Sequence, residues 1–295
     1  MISQPAFSGV WCPSVTPFTQ QGQPDIDALG RHFARLNTSG INTLLLMGSI
    51  GEFASLTQQE RLLLIREARQ LSPLSMVANI SSTCVPDMLE LAEAAWKNGF
   101  DAVMVLPPYY YGQTPRQLLS YFRELDKRIG GKWFAYNFPA RTGCDLSPAL
   151  VSELAAELPG FIGIKDTIDS LSHNRALIEE TRKVRDDFAV LSGYDEYLVP
   201  NLLAGGAGVI SGLNNIVPEL FAAAMAAWHE QDLAALASIQ QRIGRMMAIY
   251  AIGEDFVTTI KTAVSRRFDS MTSQSRNYGG ALSAEQCEAL DRLFE

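Results

Sequence analysis

Eight times along the first roughly 230 residues, a short apolar run is followed by a stretch with the spacing of an amphipathic helix. The strand-type runs are Val10–Phe18, Ile41–Gly48, Ser75–Ser81, Asp101–Pro108, Trp133–Pro139, Phe161–Thr167, Phe188–Gly193 and Gly208–Ser211. The helical stretches between them are Asp25–Leu36, Thr57–Leu71, Pro86–Asn98, Pro115–Arg128, Pro148–Glu157, the segment running to about Val184, Glu196–Leu203, and the chain from Pro218 onward. Thr57 with Glu60 three residues later spells a capping box. The strand runs are continuously apolar rather than alternating, as expected of a parallel sheet covered on both faces. The pattern predicts an α/β fold, a (β/α)8 TIM barrel over residues 1–230 that carries the catalytic site. Past Gln231 the alternation stops. Asp232–Tyr250, Asp255–Phe268 and Ser283–Phe294 predict further helices, so residues 231–295 are expected to form a C-terminal helical region packed on the barrel or on another subunit.

The chain carries a net charge of −8, which argues against nucleic acid or an anionic membrane as a partner. No apolar run reaches the roughly 18 residues of a membrane span. The opening Met1–Pro5 lacks the basic and apolar regions of an export signal. Cys12, Cys84, Cys144 and Cys287 have no metal-type spacing and are expected to be reduced thiols in a cytoplasm. His32, His173 and His229 fall in helical stretches, and no His and carboxylate set converges as a protein-bound metal site needs.

Barrel enzymes carry their chemistry at the C-terminal ends of the strands. The sixth strand ends in Lys165, a lysine inside an apolar run. An ammonium withdrawn from water spends more time uncharged, and a neutral amine adds to a ketone to form a Schiff base. The same lysine could simply pair with Asp166. Tyr136, on the adjacent strand, could relay protons, or be a core aromatic; Ser49, after the second strand, could link it to a second phenol, Tyr110. Backbone N–H groups around Gly48, Ser49 and Ile50 could bind a carboxylate, or the glycines could merely shape the turn. Arg141 could hold a second carboxylate, or a surface partner.

These residues stand in motifs that resemble the dihydrodipicolinate synthase and N-acetylneuraminate lyase family of class I, pyruvate-dependent aldolases. Gly48-Ser49-Ile50-Gly51-Glu52 is similar to its G-[ST]-T-G-E, Tyr136-Asn137-Phe138-Pro139 to Y-N-x-P, and Gly163-Ile164-Lys165-Asp166 to G-[IV]-K-[DE], in register over nearly the whole chain. The resemblance implies a pyruvate Schiff base on Lys165, a phenol shuttle at Tyr136, a relay hydroxyl at Ser49, and a Tyr110 that reaches the partner subunit's site. It implies a homotetramer built as a dimer of dimers, and no metal or organic cofactor.

Within that family the substrate signals are mixed. The segment from Pro139 through Arg141 to Leu146 resembles the synthases that join pyruvate to aspartate semialdehyde. Ile50 instead puts a bulky apolar group where those synthases carry a hydroxyl, and Gln58 and Arg61 replace the histidines of lysine-regulated synthases. Gly193-Tyr194-Asp195-Glu196 resembles the lyase segment that binds sugar hydroxyls. Gly163–Ser170 and Phe256-Val257 with Ile260-Lys261 resemble the aldolases of 2-keto-3-deoxy sugar acids. Asp195, Glu196 and Ser211 could serve a polyol tail, or the acidic pair could cap the short helix that follows. The expectation is a lyase that reversibly cleaves a 2-keto-3-deoxy sugar acid to pyruvate and an aldehyde. Dihydrodipicolinate synthase is the runner-up. A keto-deoxy acid dehydratase would use the same Schiff base. A non-catalytic keto-acid sensor fits less well, because the lysine and the phenol are both kept; a metal-dependent barrel aldolase would lose activity in chelator, and no such loss is expected.

Overall fold

A computed structural model describes residues 5–277 and 279–294 of the 295-residue chain. Eight parallel strands close a barrel in sequence order: β1 (Gly9–Pro13), β2 (Thr43–Leu46), β3 (Ser75–Asn79), β4 (Ala102–Val105), β5 (Trp133–Asn137), β6 (Phe161–Asp166), β7 (Ala189–Ser192) and β8 (Gly208–Ile210). Each expected strand is present but shorter. The first runs to Pro13, with Ser14 N still donating to the Leu45 carbonyl before the chain turns away toward Pro17. The Thr57 capping box forms as written, over the helix Gln58–Leu71. One α-helical element among the described residues was not foreseen, a single turn at Pro139–Thr142 that directly follows β5. The expected C-terminal helices appear as Leu233–Met246, Phe256–Phe268 and Ala284–Arg292.

The chain forms two compact units. One runs from Met76 to Ile210 with the described residues up to Gly9, and its core is an aromatic column. Phe122 of the helix Pro115–Ile129 stacks on Trp133 of β5 at 5.4 Å, Trp133 on Phe161 of β6 at 4.4 Å, and Phe188 meets Phe161 edge-on at 4.8 Å. The Trp133 indole N–H donates to Asp126, so the buried ring leaves no polar atom behind. Gly163 in β6 lets Phe134 lie close: a methyl there would come within 2.4 Å of the Phe134 ring and 2.5 Å of the Ala189 carbonyl.

The other unit holds Val10–Ser75 and the chain from Ser211 onward. Asn214 and Asn215, both fully buried, tie the turn after β8 to β1: Asn214 donates to the Trp11 carbonyl, and Asn215 to those of Pro13 and Gly212. Asn215 Oδ1 also accepts from Val15 N and faces the ring of His32. Burial of its ring, with Arg35 beside it, lowers His32 to about 3 and keeps it neutral. The helix Phe256–Phe268 and the segment after it reach back onto the β2 side of this unit, through Lys261 to Glu52 and Arg276 to Glu60.

Candidate active site

Parallel pairing of β5 and β6 sets Tyr136 opposite Lys165 and Asn137 opposite Asp166. Both Tyr136 and Lys165 are buried, at 1% and 6% exposure. The Lys165 Nζ lies 4.2 Å from the centre of the Tyr136 ring, a cation–π distance that brings amine and phenol together. Asp166 is not the partner of its neighbour. Successive strand residues face opposite ways, and its carboxylate accepts from Asn137 Nδ2 at 3.0 Å and contacts His173 Nδ1 at 3.1 Å. The reading of Lys165 as half of a Lys–Asp pair therefore falls away.

A residue passed over in the sequence is Thr167. Its hydroxyl is buried without a hydrogen-bond partner among the described residues. Gly193 leaves the space in front of it: a methyl on Gly193 would sit 2.1 Å from Thr167 Oγ1 and 3.1 Å from Lys165 Cε. An orphan hydroxyl beside the lysine stem offers a hydrogen bond to a bound molecule. Counting two along from Lys165, the period of a strand, would have found it.

Around this pair, Asp195 is buried at 3% in a short 3-10 turn Asp195–Tyr197. The side chains of Tyr194 and Tyr197, the N-cap residues of that turn and of the helix Leu198–Ala204, make no capping hydrogen bond. Arg141, on the single turn after β5, is exposed, with its guanidinium 6.0 Å from the Phe138 ring. Tyr110 is 86% exposed, in a left-handed backbone conformation, and packs edge-on against Tyr111. Within this one chain it stands out in solvent instead of closing on the Lys165 amine.

The remaining candidates belong to the second unit. Gly48, Ser49 and Ile50 form the tight turn after β2, flanked by Met47 and Glu52, both at positive φ. Non-glycine residues in that region cost on the order of 1–3 kcal/mol each and persist where surrounding contacts impose them. Gly51 has no room for a side chain, since a methyl would lie 2.9 Å from Met47 Cα and 3.0 Å from the Ser14 carbonyl. Glu52 supplies the imposing contacts. Its fully buried carboxylate pairs with the fully buried Lys261 ammonium and accepts from Ser275 Oγ at 2.9 Å and Arg276 N at 2.7 Å. Burial lowers Lys261 to about 8, with the Glu52 charge opposing the shift. Ile50 meets Ser211's neighbour Gly212, where a methyl would lie 2.5 Å from Ile50 Cδ1 and 2.5 Å from the Tyr250 hydroxyl. Ser211 itself is fully buried at the end of β8. The Glu52–Lys261 pair was not read from the sequence, although each partner stood in a quoted motif; the two are 209 residues apart. Among the described residues, no group of three or more His, Cys, Asp or Glu is gathered as a metal site.

The profile of the Dihydrodipicolinate synthetase family matches residues 6–293. The chain is 34% identical over 257 residues to the probable 2-dehydro-3-deoxy-D-pentonate aldolase YjhH of Escherichia coli K12, covering 86% of this chain and 85% of that one. It is 32% identical over 213 residues to the 4-hydroxy-tetrahydrodipicolinate synthase of Methanosarcina acetivorans, covering 72% of each. Its structure is similar to that of YagE, a prophage protein of Escherichia coli K12 crystallised in complex with pyruvate, with a TM-score of 0.94 and 32% identity over 98% of both chains. The chain belongs to the dihydrodipicolinate synthetase family.

Proposed function

We propose that this protein is a class I aldolase that reversibly cleaves a 2-keto-3-deoxy sugar acid to pyruvate and an aldehyde. The observation that carries the reading is the Lys165 amine held 4.2 Å from the Tyr136 ring, both buried at the ends of neighbouring strands. The name of the 34% identical pentonate aldolase supports the choice of substrate class, and the pyruvate-bound neighbour supports pyruvate as the shared product.

In this reading Lys165 Nζ adds to the ketone carbon of the substrate, and Tyr136 returns a proton so that water leaves and the Schiff base forms. The protonated imine then draws electrons from the C3–C4 bond. Tyr136 accepts the proton of the C4 hydroxyl, the aldehyde departs, and the enamine left on Lys165 takes a proton at C3 before hydrolysis frees pyruvate. Ser49 completes the proton relay together with a Tyr110 that reaches in from a second copy of the chain. The backbone around Gly48, Ser49 and Ile50 binds the pyruvyl carboxylate. Arg141, Asp195, Ser211 and the unpartnered Thr167 hydroxyl contact the rest of the substrate.

On the same footing we infer a homotetramer acting in the cytoplasm, supported for assembly by the exposed Tyr110 and Tyr111 pair. Residues 231–295 form a helical region packed on the barrel, supported by the contacts of Lys261 and Arg276. The test is pyruvate release from 2-keto-3-deoxygluconate, read through lactate dehydrogenase, with Lys165→Ala as the blank. Release that persists in Lys165→Ala overturns the mechanism. No release from a protein that still traps pyruvate on borohydride reduction moves the substrate to aspartate semialdehyde.

A further inference from the structure

One residue beyond each catalytic candidate, the chain closes a ring of polar side chains on the opposite face of the strands. Asn137 follows Tyr136, and Asp166 follows Lys165. Asn137 Nδ2 donates to Asp166 Oδ1 and to Asp145 Oδ1, each at 3.0 Å, and Asn137 Oδ1 accepts from Leu146 N at 3.0 Å. His173 completes the ring, with Nδ1 3.1 Å from Asp166 Oδ2 and Nε2 3.6 Å from Asp145 Oδ1, the second being an ionic contact longer than a hydrogen bond. Asn137 and Asp166 are essentially fully buried, and the His173 side chain is 15% exposed. The ring is held on its far side by the helix Leu171–Arg182, whose N-cap Ser170 accepts from His173 N. The backbone on either side is pinned too: Thr167 N donates to the Asn137 carbonyl, and Gly193 N to the Asp166 carbonyl.

Two carboxylates share one cationic partner here. Without it, the buried Asp166 carboxylate and the half-exposed Asp145 carboxylate face each other across the neutral Asn137 amide, which hydrogen-bonds both but cancels neither charge. We propose that His173 is a positioning residue of the active site, holding Asp166, Asp145 and Asn137 together so that the ends of β5 and β6 keep Tyr136 against Lys165. The inference rests on the reading of those two residues as acid/base and nucleophile. Both charged groups facing His173, Asp166 from β6 and Asp145 from the loop before the helix Pro148–Glu157, favour the imidazolium. Burial pulls the other way, but the two carboxylates outweigh it and hold His173 up at about 9. The ring therefore carries its cation throughout the neutral range and loses it in mild alkali. Displacements of reacting groups by about 1 Å cost on the order of a hundredfold in rate, so a loosened ring is felt in turnover before it is felt in binding.

The experiment uses the full chain and three proteins: the native form, His173→Gln and Asp145→Asn. Each is assayed for pyruvate trapping by borohydride, for kcat and KM on 2-keto-3-deoxygluconate from pH 6 to 10, and for its melting midpoint. The expected result is that His173→Gln still traps pyruvate, with kcat lowered about tenfold or more and KM changed less than about threefold. The native kcat is expected to fall as pH rises through about 9. Asp145→Asn removes a half-exposed carboxylate and is expected to move that fall to lower pH. Native kcat and pH dependence in His173→Gln would overturn the proposal. So would a fall that stays where it was in Asp145→Asn, even if His173→Gln melts early, since a merely structural role would not tie the pH dependence to Asp145. If the native protein traps no pyruvate, the aldolase reading falls, and this one with it.

Discussion

Replacing Lys261 by Met tests whether the buried ion pair with Glu52 holds the turn after β2. Methionine keeps the length and the apolar stem but removes the charge, leaving a fully buried carboxylate with, among the described residues, Ser275 Oγ and Arg276 N as donors. Breaking one side of a buried pair costs about 3–5 kcal/mol, because the abandoned charge stays out of water. The ammonium also lies 4.1 Å from the centre of the Phe18 ring, a contact worth on the order of 1 kcal/mol that the variant loses. For 295 residues, an unfolding entropy of roughly 2.1 cal/mol/K per residue gives about 0.6 kcal/mol/K. A loss of about 4 kcal/mol then lowers the melting midpoint by roughly 6 °C. The assay is a thermal melt of the native protein, Lys261→Met, Glu52→Gln and the double variant. Removing both charges leaves neither partner stranded, so the double variant should melt well above the sum of the single losses, with a coupling of about 2 kcal/mol or more. Losses below about 1 °C, or strict additivity, would refute the reasoning. Turnover should fall in Lys261→Met as well, since Glu52 ends the turn that carries Ser49.

Two further outcomes are expected. His32 has a folded-state value of about 3, below its ordinary 6.5, so the unfolded chain takes up the proton first. Its contribution is intact above about pH 6.5 and falls by about 1.4 kcal/mol per pH unit down to about 3; His32→Gln should flatten the acid side of a melting-midpoint profile. Gly193→Ala should cut kcat/KM by about tenfold or more with a native circular dichroism spectrum, because its methyl would crowd Thr167 Oγ1 and the Lys165 stem; native kinetics would show that this space is unused.

Much of the fold was legible because its signals are local. Continuous apolar runs separated by capped helices can satisfy their backbone and cover both sheet faces in few ways. The Thr57 capping box is an example, with the residues that end the helix lying within one turn of each other. The pairing of Tyr136 with Lys165 followed in the same way, once their strands were seen to be neighbours. The misses are of another kind. The single turn at Pro139–Thr142 is too short to show a period, and the strands ended earlier than their apolar runs because a run of apolar residues continues into the buried turns after a strand and does not mark where the ladder stops.

The sequence by itself determined the order of strands and helices, the lysine in the sixth strand and the phenol beside it, because periodicity and residue type act over a few positions. Only the tertiary structure decided who partners whom. It turned Asp166 away from Lys165 and onto Asn137 and His173, joined Glu52 to a lysine 209 residues away, and left the Thr167 hydroxyl, beside the lysine, without a partner among the described residues. Those outcomes depend on desolvation and charge pairing between groups that meet only when the chain has folded, and no local pattern records them.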